Sequence, residues 1–207
     1  MSAAEELKVI AAEVSACQKC KLHTGRKKAV PGEGPADAQI MFIGEGPGFH
    51  EDQQGRPFVG AAGKFLEELL ESIGLTRAQV FITNVVKCRP PGNRDPEPDE
   101  LEACADYLDR QIKAINPKVI VTLGRYSMYR FFPNAKISAI HGQARQVEGR
   151  LVVAMFHPAA ALHQPKYREP LFEDFKKLPG LIASAEKAPT VAPPKPDEPE
   201  TKQLSLF

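Results

Sequence analysis

Gln39-Ile40-Met41-Phe42-Ile43-Gly44-Glu45-Gly46-Pro47-Gly48 is the stretch on which the fold turns. A short apolar run stops abruptly at glycines, the pattern of a buried strand that runs into a loop. Three further segments have the same character: Val80–Val86, Lys118–Leu123 and Leu151–Phe156. Between and around them lie stretches of helical spacing. Residues 3–15 carry Leu7, Ile10, Ala11 and Val14 on one face, and Ala62–Ile73 is stopped by Gly74. Helices are also predicted from about Asp99 to Ile115, over Met128–Phe132 and over Leu171–Leu178. Strands alternating with helices imply a mostly parallel sheet covered on both faces. The expected fold is therefore α/β, a three-layer α/β/α sandwich around a four-stranded central sheet. Ligands of such sheets bind beyond the carboxyl ends of the strands. Those ends lead here to Gly44–Gly48, Thr83-Asn84, Gly124-Arg125 and His157-Pro158, so one crevice is expected to collect Glu45, Asn84 and His157.

The chain has 207 residues, enough for one domain of ordinary size plus a tail. Hydrophobic residues make up 43% and charged residues 26%, which fits a globular chain and excludes a fibrous or wholly disordered one. Twenty-seven Lys and Arg against 26 Asp and Glu leave a formal charge of +1, so bulk positive charge cannot be what holds any nucleic acid. With no long apolar run and no basic, apolar leader, neither a membrane span nor a secretory signal is expected, and the chain reads as cytoplasmic.

Composition shifts near the end. Residues 185–202 contain Pro189, Pro193, Pro194, Pro196 and Pro199 with almost no large apolar side chain, and read as a disordered linker after a domain at 1–184. Extended at about 3 Å per residue, it would reach on the order of 50 Å. It ends in Gln203-Leu204-Ser205-Leu206-Phe207, three large hydrophobes at the tip of a solvated tether, which require a receiving surface.

Four cysteines, Cys17, Cys20, Cys88 and Cys104, are spaced as C-x2-C, then 67 residues, then C-x15-C. In a reducing compartment such a set suits ligation better than disulfides. Lys19, Lys21, Arg26, Lys27, Lys28, Lys87 and Arg89 surround it with charge that favours thiolates. Spacing alone leaves tetrahedral zinc and an iron-sulfur cluster both open.

The glycine-rich turn fails as a nucleotide loop. Position 49 is Phe where a dinucleotide fingerprint needs a different spacing, and no Lys-Ser/Thr follows. It reads instead as a close backbone approach to a ligand, with Glu45 among the amides. Asn84 offers an acceptor beside a donor pair, which matches an imide edge such as uracil's. His157, held extended by Pro158, is placed to donate to an oxygen that gains charge as a bond breaks. Phe58 offers either core packing or a platform for a stacked base.

Taken together, these motifs resemble the family 4 uracil-DNA glycosylases, the iron-sulfur group of bacteria and archaea, across residues 5–180. The resemblance is carried by Gly44–Gly48 with Glu51-Asp52, by Gly55–Gly60, by Thr83–Pro91 and by His157–Ala160. It implies that Cys17, Cys20, Cys88 and Cys104 bind a [4Fe-4S] cluster. It implies that Phe58 stacks on a flipped uracil, that Asn84 reads N3–H and O4, and that His157 stabilises the leaving base through O2. Glu51 would crowd C5 against thymine's methyl, and Glu45 with the Gly46 amide would line the pocket. Well-known members of the superfamily carry an Asp where Gly46 stands, which leaves Glu45 as the candidate for positioning water. Arg145 falls in a loop between strands, with no Lys-rich insertion of the kind that traps uracil covalently. Leu162 is a candidate wedge into the base stack. Lys19, Lys21, Lys87, Arg89, Arg94, Lys166 and Arg168 are candidate phosphate contacts.

The terminal peptide resembles the bacterial sliding-clamp-binding motif, with Gln203, Leu204, Leu206 and Phe207 as its contacts. The expected activity is hydrolysis of the N-glycosidic bond of uracil in DNA by a monomer, leaving an abasic site for base excision repair. The rivals are a non-enzymatic, clamp-recruited DNA-binding module and a glycosylase for another deaminated or damaged base.

Overall fold

The computed structural model describes residues 1–187. The terminal peptide and all but the first three residues of the expected linker lie outside that range. Helix α1 (Ala3–Ala16) starts at a capping box between Ser2 and Glu5. Then follow β1 (Ile40–Gly44), α2 (Phe49–Gln54), α3 (Ala61–Glu71), β2 (Phe81–Asn84), α4 (Pro98–Ile115), β3 (Val119–Leu123) and α5 (Arg125–Tyr129). The remaining elements are α6 (Ile137–Ile140), β4 (Ala144–Val147), β5 (Arg150–Met155), α7 (Pro158–His163) and α8 (Arg168–Lys187).

The sheet runs β2-β1-β3-β5-β4, with every pair parallel except β4 on β5. It has five strands, where the sequence predicted four. The extra strand escaped because Arg145 and Gln146 are exposed and β4 therefore has no apolar run. It is an edge strand joined to β5 through Glu148 and Gly149, both at positive φ (49° and 77°), a tight hairpin geometry. Arg145 lies in β4 rather than in a loop, its guanidinium 5.6 Å from the Phe132 ring centroid.

Alternation along β1 divides the core. Ile40 and Phe42 face a cluster with Phe65, Leu66 and Leu69 of α3 and Leu171, Phe175 and Leu178 of α8. Met41 and Ile43 face the opposite cluster, with Leu108, Ile112 and Ile115 of α4 and Met128 of α5. The three-layer sandwich is thus present, and each fully buried large side chain contributes about 1.5–3 kcal/mol. Among the described residues no helix is long and apolar enough to cross a membrane.

Candidate functional site

A cavity of about 510 Å³ opens at the carboxyl edge of the sheet, and Glu45, Gly46, Glu51, Phe58, Asn84 and His157 all line it. Gly44, the last residue of β1, packs against the cavity residues Asn84 and Phe58. A Cβ there would lie 2.4 Å from Asn84 Oδ1 and 2.7 Å from the Phe58 ring, so this close approach requires glycine. Phe49, 52% exposed, lines the outer part, with the Arg89 guanidinium 5.2 Å from its ring centroid.

Asn84 ends β2 and is 1% exposed, yet its Oδ1 has no hydrogen-bond partner. A buried acceptor is normally satisfied, so an unpartnered one on a residue that lines a cavity marks a place for a ligand donor. His157 caps α7: its Nδ1 accepts from the Ala159 amide at 3.1 Å. With Nδ1 accepting, the neutral ring carries its proton on Nε2 and is a donor there. Burial pushes its pKa down to about 4, against an upward pull from Glu51, so the ring is neutral through the neutral pH range.

Phe58 stands beside His157, with ring centroids 5.5 Å apart and planes at 26°. It holds a left-handed backbone, φ 51°, unusual for a bulky residue. Two groups fix that turn. Glu51 Oε1 accepts from the Val59 and Gly60 amides at 2.8 and 2.9 Å. Arg77, which sequence reasoning did not single out, donates to the Phe58 carbonyl at 2.7 Å and also to that of Pro57. Its Nε is paired with Glu33 at 2.6 Å. Nothing local signals Arg77, because it reaches the turn from 19 residues away in the chain.

Glu45 sits half-buried against Gly124, and its Oε1 accepts from the Tyr126 amide at 3.2 Å. Burial raises its carboxyl pKa, partly opposed by the amides of Tyr126 and Arg125.

The cysteines form a second centre. All four are free thiols and line one small void together with Arg26, Lys87 and Tyr107. Arg26 donates to the Cys88 sulfur at 3.1 Å. Burial raises the pKa of Cys20, Cys88 and Cys104, the last to about 11, so holding them as thiolates calls for a bound cation. A thiolate-held centre of net negative charge suits this donor set and its basic walls. Among the described residues no three ligating side chains gather closely enough to hold a single ion.

Several expected phosphate contacts are otherwise engaged. Lys87 is 1% exposed and cannot reach DNA. Arg94 pairs with the fully buried Glu100 at 2.6 Å, and Arg168 lies over Phe65 and pairs with Glu68. Leu162 is 45% exposed, next to His163 on the cavity wall.

Residues 31–177 match the family model described as "Uracil DNA glycosylase superfamily". The chain is 51% identical over 193 residues to a protein of Sulfurisphaera tokodaii named "Type-4 uracil-DNA glycosylase", with 88% of each chain covered. A protein of the same name from Saccharolobus solfataricus is 52% identical over 191 residues, covering 87% of this chain and 88% of its own. Another from Archaeoglobus fulgidus is 49% identical over 196 residues, covering 90% and 98%.

Proposed function

Because this chain belongs to the uracil DNA glycosylase superfamily, we propose that it is itself a uracil-DNA glycosylase, an enzyme that extrudes uracil from DNA and hydrolyses its glycosidic bond. The observation that carries this reading is the orphaned Asn84 Oδ1 at the cavity wall. An imide N–H is the donor it lacks, and the neighbouring amide NH2 then meets O4. Cytosine presents the reverse pattern at those positions, so the same side chain rejects it. Phe58 supports the base by stacking, which is worth about 1–3 kcal/mol per base in other nucleic-acid sites. Glu51, through the amides of Val59 and Gly60, holds the turn that carries Phe58 and faces the C5 side.

The chemistry follows from where charge develops. As the C1′–N1 bond breaks, its electron pair leaves with uracil and charge accumulates on O2. The His157 Nε2–H, neutral and already oriented by the Ala159 amide, donates to that oxygen. Water adds to C1′ and gives its proton to the Glu45 carboxylate. Extruding the base costs a few kcal/mol, least for a mispaired uracil.

The test is single-turnover uracil release. Asn84→Asp and His157→Ala are each expected to slow it by about 10²–10³-fold without unfolding the chain. Wild-type rates in both would refute the assignment.

The names of the relatives favour neither the non-enzymatic module nor a glycosylase for another base. We read Cys17, Cys20, Cys88 and Cys104 as ligands of a [4Fe-4S] cluster, on their number, their shared void and its basic walls. Such a group, when bound, supplies a rigid cross-link between the end of α1, the segment after β2, and α4. The terminal Gln203–Phe207, by its sequence, suits docking of Leu204, Leu206 and Phe207 in an apolar groove of a sliding clamp, with Gln203 at the rim. A DNA substrate and free thiols suit the cytoplasm, and we propose that the enzyme acts as a monomer.

A further inference from the structure

Lys87 has a buried amine whose hydrogen-bond partners include no carboxylate. It follows β2 and is 1% exposed. Its Nζ donates to Thr83 Oγ1 at 2.7 Å, to the Asn84 carbonyl at 2.8 Å and to Gln111 Oε1 at 2.8 Å. All three partners accept, since the Thr83 hydroxyl gives its own proton to the Pro31 carbonyl at 3.0 Å. Three acceptors call for three N–H groups, the ammonium form.

A buried ammonium is unfavourable unless an anion lies close. The nearby source of negative charge is the cysteine set. Lys87 lines the same void as the four sulfurs, and Cys88 is the next residue. At its other end the ammonium grips the backbone of Asn84, which lines the cavity and whose side-chain oxygen has no partner. Gln111 lies on α4, the helix that carries Cys104, and its Nε2 donates to the Pro31 carbonyl at 2.6 Å.

We propose that Lys87 is a positioning residue that couples the four-cysteine centre to the base-reading amide of Asn84. The thiolate charge holds the ammonium in place, and the ammonium fixes the end of β2 from which Asn84 projects. This rests on reading the cavity as the uracil site and the cysteines as a thiolate-held centre.

The test uses the holoenzyme as wild type, Lys87→Met, Asn84→Ala and the double variant, reading iron content, visible spectrum and single-turnover uracil release. Lys87→Met is expected to lose iron to a chelator roughly tenfold faster and to slow uracil release at saturating DNA by roughly ten- to a hundredfold. In the Asn84→Ala background the same change should slow release by less than about threefold, since both act through one side chain. Wild-type behaviour of Lys87→Met, or fully additive losses in the double variant, would overturn the proposal. Should Lys87→Met fail to fold, Thr83→Val removes one acceptor and keeps the charge. Non-additivity with Asn84→Ala then supports the coupling, and additivity overturns it. A wild-type chain without iron would overturn the cysteine reading and this proposal with it. Iron without uracil release would overturn the assignment of the cavity, and the coupling to it.

Discussion

At the scale of single residues, the site separates two titrations. His157 protonates only near pH 4, so its Nε2–H donor is present at all higher pH. Glu45, by contrast, has a pKa raised above the ordinary 4.5 and must be ionised to take a proton from water. Uracil release should therefore rise with pH through an acid limb lying above 4.5, and that limb should vanish in Glu45→Gln, as a single-turnover pH profile would show. His157 also shapes stability. The unfolded chain binds a proton near the ordinary 6.5 while the folded chain resists until about 4, so between those values the unfolded state holds more protons. Stability should fall as pH drops from 6.5 to 4, and denaturant titrations of His157→Gln should show a shallower fall. Asn84 and His157 were legible in the sequence because each sits at a strand end with unmistakable chemistry. The supports Arg77 and Gln111 were not, because their partners lie 19 and 24 residues away in the chain.

At the scale of elements, the cavity depends on how closely β1 approaches its neighbours. Gly44→Ala would drive a methyl to within 2.4 Å of Asn84 Oδ1 and into the Phe58 ring. Uracil release is expected to fall by about a hundredfold or more, while circular dichroism stays that of the wild type. The parallel strands were readable because each is buried along all or most of its length and built mainly on apolar residues. Strand β4 was not, since an edge strand with one half-buried face needs no such run. The short helices α2 and α7 were also missed. Each is 6 residues, too brief for a periodic pattern, and each begins where a site loop ends.

At the scale of the whole molecule, two functions are, on the proposed reading, divided along the chain. The described domain carries the cavity and the cysteines, and residues 203–207 carry the expected docking peptide. Deleting Gln203–Phe207 should abolish co-elution with a sliding clamp and leave the single-turnover rate on a short naked duplex unchanged. Tethering acts on local concentration and not on the chemical step. A reduced rate on naked DNA would show that the peptide acts on the domain itself.

The cysteines come from three places: the end of α1, the segment after β2, and the middle of α4. Helix α1 also packs Ile10 and Val14 on Tyr107, and its Glu6 and Glu13 pair with Arg110. During synthesis the first helix therefore leaves the ribosome long before anything exists to receive it. At about 5–20 residues per second, its partners follow after a wait on the order of ten seconds. Through that interval the amino-terminal segment is open to chaperones and proteases, and the emergence of α4 with Tyr107 and Arg110 is the event that ends its exposure.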